Sequence, residues 1–205
     1  MDLSFLLSGI IIGLSIAAPV GPIGVLCIRR TLDEGRASGL VSGIGAATAD
    51  AIYGSIGGFG LTFVSNFLVG QRGWLQLIGG IFLCYLGITI FLKKSAAQTA
   101  NSSRAGLVAA YCSTFFLTLT NPMTIISFTA IFAGLGLANA SGNYRSAGVL
   151  VTGIFLGSSL WWLILISGVA VFRKKLEFHR LQWLNRLSGL IILGFGLYSL
   201  LSLGW

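Results

Sequence analysis

The sequence predicts an all-α integral membrane protein, and its composition, its apolar spans and its distribution of charge each point to that class. Of its 205 residues, 55% are hydrophobic and 9% are charged, and the mean hydropathy is +0.91. A soluble domain of this size needs far more charge, whereas runs of about 20 apolar residues cross a bilayer as helices. We expect a single transmembrane domain over residues 1–205. The net charge of +8 lies between the apolar runs, which indicates membrane topology and no nucleic-acid partner.

Six transmembrane helices are predicted, at about 4–28, 37–65, 74–92, 107–136, 147–172 and 183–203. Counted with the first residues of the following span, the connections after the first, third and fifth spans contain all but two of the 13 Lys and Arg residues, the exceptions being Arg72 and Arg145. The positive-inside rule therefore places those connections in the cytoplasm and both termini outside it. Lys93-Lys94 and the basic run at 173–175 are interpreted as topology anchors, with binding to lipid head groups as a minor alternative. The basic residues of the three connections are Arg29, Arg30, Arg36, Lys93, Lys94, Arg104, Arg173, Lys174, Lys175, Arg180 and Arg186.

The two halves of the chain repeat. Residues 74–92 align without a gap to 183–201, and residues 40–44 align to 150–154. A unit of three spans must have its second copy in the opposite orientation, so the sequence predicts two inverted three-helix repeats, at about 1–96 and 105–205. The aligned pairs include Trp74 with Trp183, Gly80 with Gly189 and Gly87 with Gly196.

The first predicted span contains the motif Pro19-Val20-Gly21-Pro22. Each proline lacks an N–H and displaces the carbonyl four residues before it, so the helix cannot pass straight through this point. Broken backbone at membrane depth is tolerated only against protein or a water-filled cavity. Breaks of this kind bind substrates and ions in secondary transporters. A kink that serves only packing is the alternative.

The fourth predicted span contains a matching break at Asn121-Pro122. Pro122 frees a carbonyl, and the Asn121 amide offers two donors and an acceptor. The chain has only 3 prolines, and all of them lie in these two paired spans. This symmetry favours a substrate site that both breaks share.

Asp50 is the only acidic residue inside a predicted span. Carboxylates at membrane depth are costly and usually mark ion or substrate pathways. We interpret Asp50 as a group that carries a proton or binds a substrate ammonium group. A structural acid, hydrogen-bonded to a neighbour such as Thr48 or Tyr53, is the alternative.

These motifs together resemble the LysE/RhtB family of amino-acid exporters, in length and in basic cytoplasmic loops as well. The resemblance covers essentially the whole chain, although Val20 interrupts the Pro-Gly-Pro that is common in the first motif. It implies export of an amino acid or close derivative across the bacterial inner membrane, driven by the proton gradient, with no enzymatic activity and no cofactor. It also allows a homodimer surrounded by lipid. The residues carried over are Pro19, Gly21, Pro22, Asp50, Asn121 and Pro122.

Two other functions are alternatives to amino-acid export. A metal-ion exporter of the cadmium type, from the same superfamily, needs several Cys, His, Asp or Glu ligands, and the spans provide one acid and scattered thiols. A transmembrane thiol oxidoreductase needs paired cysteines, whereas Cys27, Cys84 and Cys112 form no C-x-x-C pair. Both functions remain alternatives to amino-acid export, and we expect no metal site.

Overall fold

A computed structural model describes residues 2–19, 21–60, 70–92, 104–134, 144–173 and 178–202, and these residues form helices joined by short turns. The helices of this described part are α1 (Asp2–Ala17), α2 (Pro22–Asp33), α3 (Arg36–Gly58), α4 (Arg72–Leu92), α5 (Arg104–Leu119), α6 (Pro122–Gly134), α7 (Tyr144–Arg173) and α8 (Phe178–Leu201).

Two helices of the described part are individually long and apolar enough to cross a membrane, at Gly73–Leu92 and Tyr144–Val171. The first predicted span consists of α1 and α2, which are bent by 82°, and the fourth consists of α5 and α6, bent by 59°. Each bent pair passes the same test as one unit, so the described residues contain two to four candidate spans. Residues 61–65 of the second predicted span lie outside the described residues.

Two predicted loops are shorter than expected. Arg29 and Arg30, assigned to the connection after the first span, lie inside α2. This prediction was wrong because the chain restarts as a helix at Pro22 and continues for 12 residues. The connection after the fifth span is also shorter than predicted, since α7 continues to Arg173 and α8 begins at Phe178.

Four helices pack into a bundle, in which α7 contacts α1 and α3, and α5 contacts α3. Small residues permit this packing: a Cβ atom added to Gly153 would lie 2.9 Å from the Cα atom of Gly9. Glycine at such positions allows two helix backbones to approach closely. The short helix α2 packs against α3 and also reaches α7 and α8. The bundle therefore holds the first helix of each broken span, α1 and α5.

The helices α4 and α8 form a separate antiparallel pair with its own glycine seam. A Cβ atom on Gly87 would lie 2.9 Å from the carbonyl oxygen of Gly189. Likewise, a Cβ atom on Gly196 would lie 3.0 Å from the carbonyl oxygen of Gly80. Residue numbers thus rise along α4 as they fall along α8. The pair has few contacts with α5 and α6, and α2 is its main connection to the bundle.

Candidate functional site

The second break is held together by Asn121, which begins α6. The backbone N–H of Met123 donates to Asn121 Oδ1 at 3.1 Å, and that of Thr124 donates to the Asn121 carbonyl at 3.1 Å. Pro122 occupies the first helical position, where its missing N–H costs nothing. Asparagine followed by proline is a favourable start for a helix. The break is therefore a defined structure that the local sequence specifies.

Tyr53 satisfies a backbone group that this break leaves open. Because the N–H of Met123 turns to the Asn121 side chain, the carbonyl of Leu119 has no helical partner, and the Tyr53 hydroxyl donates to it. The Tyr53 ring stacks on Phe128, with ring centroids 5.5 Å apart. Helix α3 thereby contacts the helices on both sides of the second break.

The first break differs in its capping. Helix α1 ends with the N–H of Ala18 donating to the Leu14 carbonyl at 2.9 Å, and α2 begins after Gly21 with Pro22 in its first turn. No side chain caps the start of α2. Gly21 has φ of −109°, and a Cβ atom at this position would meet nothing within 4 Å. The space beside Gly21 is therefore open.

Both breaks line one cavity of about 500 Å³. Helices α4 and α8 close it on the other side, through residues such as Gln76 and Ser199. No charged side chain is present among the described residues that line it, and its polar groups are hydroxyls, amides and backbone. A cavity of this size accommodates a small organic molecule. Five of the predicted site residues line it: Pro19, Gly21, Pro22, Asn121 and Pro122.

Asp50, the sixth predicted site residue, lies apart from this cavity. Its side chain is 3% exposed, and Ser158 Oγ on α7 donates to Asp50 Oδ2 at 2.7 Å. The hydroxyls of Thr48 and Tyr53, named as partners in the alternative interpretation, donate instead to the carbonyls of Ile44 and Leu119. A buried acid is thus joined to α7 through one hydroxyl.

The Asp50–Ser158 pair is connected to the first break by close packing. A Cβ atom on Gly13 of α1 would lie 2.8 Å from the backbone nitrogen of Ser158. Gly13 precedes the end of α1 at Ala17 by about one helical turn. The Asp50–Ser158 pair therefore packs against α1 about one helical turn before the first break.

Arg30 and Gln76 are polar residues of the interior that the sequence interpretation did not select. Arg30 is 8% exposed and Gln76 is 5% exposed. Gln76 could have been found, because it is the only amide in the apolar run 74–92. Trp162 of the Trp161-Trp162 pair is buried against Gly43 and does not line the cavity.

Neither of the two alternative functions gains a site from the structure. Cys27, Cys84 and Cys112 are free thiols, on α2, α4 and α5 respectively. Among the described residues, no group of three or more His, Cys, Asp or Glu side chains lies close enough to bind a metal ion.

Interrupted apolar helices that meet at a cavity are typical of secondary transporters. A family model described as LysE type translocator matches residues 14–203. The chain belongs to this family, whose members are integral membrane proteins.

Curated relatives match over most of their length. The chain is 30% identical to the putative amino acid efflux protein YcgF of Bacillus subtilis (strain 168), over 96% of this chain and 95% of the relative. It is 26% identical to the uncharacterized membrane protein YahN of Escherichia coli (strain K12), over 80% of this chain and 75% of the relative. It is 22% identical to the threonine efflux protein of Salmonella typhi, over 89% and 90%. No solved structure matches the chain.

Proposed function

We propose that this protein exports an amino acid or a close derivative across the bacterial inner membrane, driven by the proton gradient. The observation that carries the proposal is the cavity of about 500 Å³ that both helix breaks line. Two relatives with near full-length matches are named as amino acid or threonine efflux proteins, which supports the same class of substrate.

The chemistry of the cavity favours a zwitterionic substrate. Its polar groups are uncharged in the described part of the chain, so a molecule with a net charge would lose hydration without gaining a counterion. An α-amino acid with a neutral side chain carries both charges within itself. Carbonyls and amides at the breaks provide acceptors for its ammonium group and donors for its carboxylate.

Asp50 is the proposed proton carrier. A carboxyl group that is buried inside a bundle and has one hydroxyl donor is suited to exist in protonated and ionised forms. Its hydrogen bond to Ser158 at 2.7 Å joins α3 to α7, and α7 packs on the helix that leads to the first break. We infer that proton binding at Asp50 changes the packing of these three helices.

The proposed membrane arrangement has six spans in two inverted repeats, with both termini outside the cytoplasm. The seam between α4 and α8 supports it. Gly80 aligns with Gly189 in the repeat and Gly87 with Gly196, while in space Gly80 faces Gly196 and Gly87 faces Gly189. A two-fold axis in the membrane plane interchanges these two contacts, as an inverted repeat requires.

Two further features belong to the proposal. Exposed apolar side chains on the outer faces of α4 and α8, such as Ile78, Ile81 and Leu190, are suited to contact with lipid. A homodimer remains an expectation that rests on the family resemblance.

Reconstitution tests the function. Proteoliposomes that contain the purified protein are expected to move labelled amino acids in response to an imposed proton gradient, whereas protein-free liposomes are not. Asp50→Asn should still bind substrate and exchange it but should lose its response to the gradient. Glu34→Gln, at the end of α2, is the matched control and should respond normally. Normal coupling in Asp50→Asn would remove Asp50 from the mechanism.

A further inference from the structure

The amide of Gln76, a residue that lines the cavity, has a fixed orientation. Its Nε2 donates to the Ser199 carbonyl at 2.8 Å and to Ser202 Oγ at 2.7 Å. A carbonyl oxygen can only accept, so the atom that faces it must be the amide nitrogen. Both protons of Nε2 are thereby used. The Oε1 atom has no hydrogen-bond partner among the described residues. Gln76 is nevertheless only 5% exposed, and it lines the cavity.

The amide of Asn121, which lines the same cavity, also has a fixed orientation. Its Oδ1 accepts from the backbone N–H of Met123, which can only donate, so the orientation of this amide is determined as well. The Nδ2 group of Asn121 has no partner within the described part of the chain. Nearby, the first turn of α2 has no side-chain cap, and the partial positive charge at a helix N-terminus favours an anion.

We propose that Gln76 and Asn121 orient the amino acid in the cavity, with its ammonium group at Gln76 Oε1 and its carboxylate at Asn121 Nδ2 and the start of α2. The inference rests on the proposed function, because it assumes an amino-acid substrate. It adds a specificity-determining residue on α4, outside both proline motifs. The two amides act as opposite ends of one polar site because each has its other atom occupied by the protein.

This assignment makes different predictions for the two ends of the substrate. Replacing the ammonium group by a hydroxyl removes a charged donor from Gln76, and esterifying the carboxylate removes the charged acceptor from Asn121. Hydrogen bonds to charged groups are the stronger ones, so each change in the substrate should weaken binding by about tenfold or more. Changing the matching protein residue should reduce that preference by the contribution of its hydrogen bond and leave the other preference intact.

The experiment uses the full chain in proteoliposomes. A labelled mixture of the 20 common amino acids first identifies the one that is transported. That amino acid, its 2-hydroxy acid and its methyl ester then compete with the labelled compound. In Gln76→Met the preference for the amino acid over the hydroxy acid should fall by about tenfold, while its preference over the ester is retained. In Asn121→Leu the pattern should be the reverse.

Each preference is a ratio within one preparation, so a smaller yield of folded protein does not change it. Gln76→Glu provides a second variant at the site: it loses the donor to the Ser199 carbonyl but keeps acceptor oxygens and adds a negative charge, so the preference for the ammonium group should be retained. Gln71→Met is the matched control, since Gln71 lies just before α4 and does not line the cavity. Unchanged ratios in both Gln76→Met and Asn121→Leu would overturn this inference but leave the proposed function standing. Failure of the wild-type protein to transport any amino acid would overturn the proposed function and this inference with it.

Discussion

At the scale of single residues, Arg30 shows how a permanent charge is accommodated inside this protein. One guanidinium nitrogen donates to Ser42 Oγ, Thr114 Oγ1 and the Ala110 carbonyl, at 2.8, 2.8 and 2.9 Å, and the other donates to Ser113 Oγ at 2.7 Å. A buried charge is very costly unless its donors are satisfied. These bonds connect α2 to α3 and α5, and hence fix the end of the broken first span against the bundle.

Arg30→Lys should lower the free energy of unfolding by about 1–3 kcal/mol. A lysine keeps the charge but has a single nitrogen, which cannot reach the partners of both guanidinium nitrogens. Titration with a denaturing detergent measures the change. Arg36→Lys is the matched control, because Arg36 is exposed and donates only to Ser167 at 3.1 Å in the described residues, and it should change stability by less than about 0.5 kcal/mol. Equal effects of the two substitutions would contradict the assigned role.

Gly21→Ala should reduce transport without reducing stability. The backbone of Gly21 has φ of −109°, which alanine adopts without strain, and the added methyl group would meet no protein atom within 4 Å. It would instead occupy part of the cavity, so the loss should be greatest for the largest substrates. Gly194→Ala, on an exposed part of α8 with equal space around it, should transport normally. A thermal unfolding curve that shifts to lower temperature with Gly21→Ala would count against this explanation.

At the scale of helices, the glycine seam determines how closely α4 and α8 approach. Along this seam, glycine faces backbone atoms of the opposite helix at two places, Gly80 with Gly196 and Gly87 with Gly189. Apolar side chains gain nothing by leaving lipid, so van der Waals contact between backbones is what associates such helices. The seam also holds Ser199 beside Gln76 and so builds one wall of the cavity.

Gly87→Leu should destabilise the protein by at least about 1–3 kcal/mol, the usual effect of overpacking. Its Cβ atom would lie 2.7 Å from the backbone nitrogen of Leu193, so α8 would have to move as a whole. Gly194→Leu, with nothing within 4 Å, is the control on α8 and should be nearly neutral. Detergent titration of both variants checks the difference, and equal stabilities would show that α4 and α8 are not packed in this way.

Local features of the sequence predicted both breaks correctly, because proline cannot continue a helix through its interior and instead begins a new one. The composition of the cavity wall could not be predicted in the same way. Helices α4 and α8, which line the cavity, carry apolar residues on both their exposed and their buried faces, so hydrophobic periodicity does not indicate which face is buried. Whether Asp50 or Gln76 lies at the cavity depends on which helices are neighbours. Arg30 resembled a loop residue because it follows the first apolar run, and the sequence does not indicate its hydrogen-bond partners, which are 12 to 84 positions away in the chain.

At the scale of the whole molecule, the packing forms two groups among the described helices, which α2 connects. The first contains α1, α3, α5 and α7, in which the most extensive contacts join the two sequence halves. The second is the α4–α8 pair, and the cavity lies between the groups. Rocking of one sequence half against the other would separate α1 from α7 and α3 from α5. The contacts therefore favour movement of the α4–α8 pair against the four-helix bundle as the means of alternating access.

Two engineered disulfides distinguish these motions in a background without the native cysteines. Cβ atoms at residues 79 and 120 would lie 3.3 Å apart, and those at 54 and 154 would lie 3.6 Å apart, both near the spacing that a disulfide needs. Both bonds join the two sequence halves. Only Gly79→Cys with Thr120→Cys also ties the α4–α8 pair to the second break, whereas Gly54→Cys with Ile154→Cys lies within the bundle.

Oxidation should stop transport in the 79–120 variant, and reduction should restore it, because the bond prevents α4 from moving away from the break. The 54–154 variant should transport at a similar rate in both states, since α3 and α7 are expected to move together. Comparing oxidised and reduced proteoliposomes of the same preparation removes the effect of the substitutions themselves. Inhibition by both disulfides would instead indicate that the two sequence halves are the moving parts, and inhibition by neither would mean that the cavity opens without moving α4.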